Sequence, residues 1–187
     1  ILAQAVTELK NDEFADLYAD EIKKTNELRG DLFVDECSVE GDVKAFFPET
    51  YVPGSSERMA LYRELDGLET DEQVDTFRRR LEDRFGPVPE EGEELLGMVA
   101  LRRDARRLGV ERLLLRGGRM TLYFVSRLDS PYYASAMFGR VIQYAVSHAR
   151  TCELAEANGK RRMRIADVHT VAGALAILKE IMSLTAE

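Results

Sequence analysis

Leu81-Glu82-Asp83-Arg84-Phe85-Gly86-Pro87-Val88-Pro89 is the stretch whose reading decides how this chain is built. Gly86 suits the left-handed position just past a helix, and a proline close behind cannot continue the hydrogen-bond ladder. Pro89 then opens a second helix, where its missing N–H costs nothing. Glu90, Glu91, Glu93 and Glu94 complement the positive end of that helix. The expectation is two helices joined by a stiff glycine-proline turn.

Working backward, Thr70-Asp71-Glu72-Gln73 is a capping box, and the helix it opens shows Val74, Phe77, Leu81 and Phe85 on one face. A further helix capped by Ser55 or Ser56 presents Met59, Leu61, Tyr62 and Leu65 and stops near Gly67. Pro48 and Pro53 bracket a short turn. Alternation from Phe33 to Phe47 predicts a strand with a bulge or turn at Gly41-Asp42. Leu2, Val6 and Leu9, then Phe14, Leu17, Tyr18 and Ile22, keep a helical spacing before a linker at Gly30-Asp31. Residues 1–29 are thus expected to form a helical segment and residues 30–187 a separate domain.

Working forward, the helix from Pro89 buries Leu95, Leu96, Met98, Val99, Leu101, Ala105 and Leu108 and closes at Gly109. The period then changes. Val110 to Arg116 and Arg119 to Val125 flank Gly117-Gly118, a pair that permits the positive φ of a primed hairpin turn. Ser130-Pro131 starts a helix carrying Tyr133, Met137, Val141, Ala145 and Val146. Cys152 to Ala157 and Arg161 to Ile165 flank Asn158-Gly159, a second hairpin signal, and Asp167 is expected to cap a last helix. The fold class is α+β: about five strands in a small, mostly antiparallel sheet, made of two hairpins and an N-terminal strand and packed by five or more helices.

The 187 residues are 45% apolar and 32% charged, ordinary for a globular chain with a real core. Ile1 rather than Met opens the sequence, as expected of a piece of something longer. Cys37 and Cys152 match no metal spacing and read as reduced, buried thiols of a cytosolic protein. Residues 1–75 carry a net charge of −13 and residues 76–187 one of +5, which together give the −8 of the whole. The acidic half suits a basic protein partner, or is a solvated surface.

No phosphate-binding GxxxxGK[ST] loop, GxGxxG, HExxH, GxSxG or CxxC occurs, and His148 and His169 fall near helix ends, where packing or capping is the usual role. Catalysis is not expected. Arg102, Arg103, Arg106 and Arg107 form a basic stripe on the long helix, and Lys160, Arg161, Arg162 and Arg164 gather on the second hairpin. Either group can meet phosphates, or can pair with nearby acids. Neither cluster shows an interleaved aromatic platform for bases in the sequence.

Phe47-Pro48-Glu49-Thr50-Tyr51-Val52-Pro53, Arg58-Met59-Ala60-Leu61-Tyr62 and the Leu81–Pro89 stretch, in this order and at these separations, resemble three boxes in the C-terminal domain of bacterial transcription-repair coupling factors, the Mfd family. Residues 2–10 look like the closing helix of the motor that precedes that domain. The resemblance spans most of residues 1–110. It implies a non-catalytic, cytoplasmic, autoregulatory domain of an ATP-driven duplex-DNA translocase that acts on stalled RNA polymerase. In that family the domain docks on an N-terminal UvrB-like module, hides the UvrA-binding surface and restrains the motor until polymerase is engaged. No cofactor is implied for this segment, since ATP and Mg belong to the upstream motor. Partner-binding positions carried over are Thr76, Arg80, Asp83 and Arg84, although Arg80 stands where the family usually has Glu. The alternative the resemblance leaves open is a duplex-DNA contact through Arg102, Arg103, Arg106 and Arg107.

Overall fold

The structure is a computed structural model that describes residues 33–185. The expected N-terminal helices and the linker lie outside the described residues. Within them the order is β1 (Ser38–Gly41), α1 (Ser55–Asp66), α2 (Asp71–Phe85), α3 (Glu90–Leu108), β2 (Val110–Arg116), β3 (Arg119–Phe124), a 3-10 turn (Pro131–Ala134), α4 (Ala136–Ser147), β4 (Cys152–Ala157), β5 (Lys160–Ala166) and α5 (Val171–Ser183). The strands form one sheet in the order β1-β2-β3-β5-β4. Only β1 and β2 run parallel; the other pairs are antiparallel. This is the α+β architecture expected.

The two hairpins follow from their turns, where Gly117, Gly118, Asn158 and Gly159 all take positive φ. β5 inserts between β3 and β4, so the chain leaving β3 crosses by way of α4 to the edge strand β4, and the last hairpin folds back inward.

Two cores share the long helix α3. Its first half supplies Leu96 and Val99 to a helical core with Phe47, Val52, Leu65, Val74, Phe77 and Leu81. Its second half supplies Leu101, Ala105 and Leu108 to the core between the sheet and α3, α4 and α5. α5 is seated on α3 by Glu94, whose carboxylate accepts the Val171 N–H at 2.7 Å and so satisfies a helix-start amide from outside the helix.

Several boundaries differ from expectation, each for a local reason. The strand expected over 33–47 shrinks to Ser38–Gly41, because the chain leaves the sheet at Asp42, whose carboxylate accepts the Gly117 N–H at 3.0 Å. Phe46 then donates its N–H to Glu91 at 3.1 Å, and Phe47 enters the helical core instead. Gly54, not a serine, caps α1, and the Arg58 guanidinium takes the Val52 and Pro53 carbonyls beside it. Ser130-Pro131 opens the 3-10 turn, after which Ser135 caps α4. Asp167 sits in a turn at φ 59°, and Thr170 caps α5, so His169 precedes that helix.

Candidate protein-interaction site at the helix joint

Gly86 adopts φ 85°, ψ −170°, a region essentially closed to other residues and more demanding than the left-handed position expected. Its N–H closes α2 onto the Glu82 carbonyl at 2.9 Å, and its own carbonyl accepts the Tyr51 hydroxyl at 2.8 Å. That bond ties the first sequence box to the third. Phe47 and Tyr62 stack at 5.4 Å and 8°, while the Tyr62 hydroxyl accepts the Phe47 N–H at 3.0 Å, tying the first box to the second. Tyr51 and Phe85 meet at 5.6 Å. Three stretches separated in the chain therefore form one aromatic knot. Across the joint, Arg78 on α2 binds Glu93 on α3 through Nε at 3.1 Å and a terminal nitrogen at 3.0 Å. Its other terminal nitrogen reaches Asp75 at 2.6 Å.

On this rigid base, the four carried-over residues take different positions. Thr76 is exposed and returns its hydroxyl to the Glu72 carbonyl at 2.9 Å within the helix. Arg80 pairs with Glu64 of α1 and lies 5.6 Å from the Phe77 ring. Arg84 pairs with Glu57 of α1 and lies 5.1 Å from the Phe85 ring. Asp83 is exposed and pairs with no cation among the described residues. The two arginine side chains are 56% and 65% exposed, so their bridges to α1 are worth about 0–1 kcal/mol each and exchange readily for others.

The arginine stripe of α3 is differently placed. It lines a cleft of about 820 Å³ together with Asp35, Glu36, Asp66, Glu69 and Glu111. Arg102 binds Asp66 at 2.8 Å and Arg103 binds Asp71 at 2.9 Å. The buried Asp104 draws Arg103 at 3.2 Å and Arg107 at 3.8 Å, so Arg106 is the member of the stripe that pairs with no carboxylate of the described residues. The hydrogen bond from Arg103 holds the Asp71 carboxyl below its usual pKa. Cys37 opens into the same cleft, and burial pushes its thiol up to about 12. Both cysteines are free and buried.

His148 caps α4 with its ring stacked on Tyr144 at 3.9 Å. Among the described residues, no cluster of three or more His, Cys, Asp or Glu side chains is arranged to hold a metal ion, and no helix is long and apolar enough to cross a membrane.

An α+β domain whose helical hairpin is locked by this aromatic knot is the class that fold and site define. The TRCF domain model matches residues 42–135, and the chain belongs to that family. Its relatives include the transcription-repair-coupling factor of Staphylococcus haemolyticus, 26% identical over 146 residues, covering 72% of this chain and 12% of that protein. The Escherichia coli protein of the same name is 28% identical over 83 residues, covering 44% and 7%. The Rickettsia bellii one is 34% identical over 71 residues, covering 38% and 6%. The chain therefore spans only a small part of the length of these relatives. A crystal structure of the C-terminal domain of transcription-repair coupling factor shares the fold, with a TM-score of 0.59 at 19% identity, covering 79% of this chain and 91% of that one.

Proposed function

We propose that this domain works in transcription-coupled DNA repair as a releasable, non-catalytic clamp. It docks through the α2 flank on the UvrB-like N-terminal module of a coupling factor. Docked, it masks the surface that receives UvrA and restrains the ATP-driven DNA translocase until RNA polymerase is engaged. One observation carries the reading: Asp83, exposed and paired with no cation among the described residues, sits beside Arg84 on a joint pinned by the Tyr51–Gly86 bond. Opposite charges at a fixed angle favour directional pairing with a protein surface, and weak exposed bridges suit a contact that must release. Arg84 and Arg80 can trade Glu57 and Glu64 for a partner's carboxylates at little cost.

The test belongs in the full-length coupling factor. Reversing the charge at Asp83 and Arg84 should expose the masked surface and raise UvrA binding in the absence of polymerase. UvrA binding unchanged from wild type would contradict the clamp. Duplex DNA binding by the α3 stripe draws no support from the geometry, since Arg102, Arg103 and Arg107 are committed to carboxylates of this domain.

A further inference from the structure

The helices that pack on the sheet, α3, α4 and α5, lie on one face of it. Leu113, Leu115, Met120, Leu122, Met163 and Ile165 are buried there against α3, α4 and α5. Strand alternation sends the intervening residues to the opposite face. No described helix covers it. On β2 that face carries Arg112 and Arg116, on β3 Arg119 and Tyr123, and on β5 Arg162 and Arg164.

The pairing register gathers these residues from distant parts of the chain. Tyr123, on the central strand, lies opposite Arg112 on one side and Arg162 on the other. The Arg112 guanidinium stands 5.5 Å from the Tyr123 ring centroid and is steadied by Glu40 at 3.1 Å. Thr121, only 7% exposed, forms the floor between Leu114 and Arg164, and Arg119 pairs with Arg116 at the far end. Arg116, Arg119, Arg162 and Arg164 form no ion pair with a described carboxylate. Arg162 Nε is buried without any hydrogen-bond partner. Among the described strand residues, the acids on this face are Glu40, engaged by Arg112, and Glu153, across from Arg164 on the edge strand.

Crowding like charges around a half-buried aromatic is unfavourable unless a polyanion completes the surface. Successive same-face residues along a strand are about 6.8 Å apart and neighbouring strands about 4.8 Å apart, so the guanidiniums form a shallow grid and not a point site. A flat sheet with an aromatic on a central strand and cations around it is the arrangement on which an unpaired base stacks while its phosphates are neutralised. The geometry points to the open sheet face as a binding surface for single-stranded nucleic acid, with a base on Tyr123 and the backbone across Arg116, Arg119, Arg162 and Arg164. A duplex fits less well, because its bases are stacked inside and leave the tyrosine without a partner. This surface is separate from the α2 flank, and neither reading depends on the other.

The experiment is fluorescence anisotropy of a labelled oligothymidine of about 20 nucleotides titrated with the 187-residue chain. Saturable binding is expected, weakening as salt rises with a log–log slope of about −0.7 for each phosphate neutralised. Arg119→Gln, Arg162→Gln and Arg164→Gln together should weaken it at least tenfold, and Tyr123→Leu by about fivefold or more. Arg102→Gln, on α3 and paired with Asp66, should change it less than twofold. Thermal melts check that each variant is folded, and if the triple variant does not melt like wild type it is replaced by Arg164→Gln alone, which should weaken binding and lower the salt slope by about 0.7. Three outcomes overturn the assignment: no binding at 50 mM salt, binding indifferent to the triple substitution, or tighter binding of the corresponding duplex. A fourth is an acidic peptide spanning residues 8–32 holding this face where the oligonucleotide does not, which would make it a dock for the chain's own acidic segment.

Discussion

Tyr51 and Tyr62 each spend a hydroxyl on a backbone group of another sequence box, and these bonds decide where the α2–α3 joint stands. Replacing Tyr51 by Phe removes the bond to the Gly86 carbonyl and should cost about 1 kcal/mol, read as a lower urea midpoint with unchanged slope. Gly86→Ala meets no neighbouring atom, yet should cost about 1–3 kcal/mol because its φ of 85° and ψ of −170° exclude a side chain. Cys37, its thiol raised to about 12 by burial, should resist alkylation by iodoacetamide at pH 8 in the native protein and react fully in denaturant, as peptide mass spectrometry would show. The Asp71 carboxyl, held low by Arg103, contributes stability that is present above its unfolded value of 3.8 and is lost as pH falls through the lower folded value. Arg103→Gln should therefore flatten the fall in stability just below pH 4, measured by urea melts at successive pH values.

At the scale of elements, α2 and α3 are the pieces most completely written in local chemistry. Thr70 accepts the Gln73 N–H while the Gln73 side chain accepts the N–H groups of Thr70 and Glu69, so the start of α2 is determined by four residues. Thr70→Ala should cost about 1 kcal/mol in thermal stability. The hairpins were equally legible, since Gly117-Gly118 and Asn158-Gly159 demand their turns. Elsewhere, local signals were misleading. Ser55 and Ser56 look like caps, but the helix starts one residue earlier than a serine cap requires, with Gly54 at the cap and both serines inside the first turn. Asp167 looks like a cap, but Val168 gives its N–H to the Gly118 carbonyl at 2.9 Å, which holds the segment in a turn short of α5. Alternation through Phe33–Phe47, with Phe33, Asp35, Cys37 and Val39 against Val34, Glu36 and Ser38, reads as one strand, yet Cys37 is buried in the sheet core and Phe47 in the helical core.

For the whole molecule, α3 is the part that cannot be divided. It serves the helical core with Leu96 and the sheet core with Leu101, so the two should melt together. Leu96→Ala and Leu101→Ala should each cost about 2–5 kcal/mol and lower one shared transition, seen by calorimetry. Two separated transitions would contradict this coupling. The same scale explains which candidate site residues are hidden in the sequence. The motif positions Asp83 and Arg84 could be named because they lie in one short stretch. The setting of the hairpin arginines could not, because Tyr123 reaches Arg162 only after β5 inserts beside β3. A stripe such as Arg102–Arg107 looks basic along the chain, but Asp66 and Asp71 come to it from other helices.

The most direct measurement is a calorimetric titration of this chain with the isolated UvrB-like module, for wild type and for the Asp83→Ala, Arg84→Ala double variant. A releasable clamp predicts saturable binding that weakens with added salt and falls at least fivefold in the double variant. Equal binding by the two proteins would contradict it and return Asp83 and Arg84 to the role of an ordinary helix end.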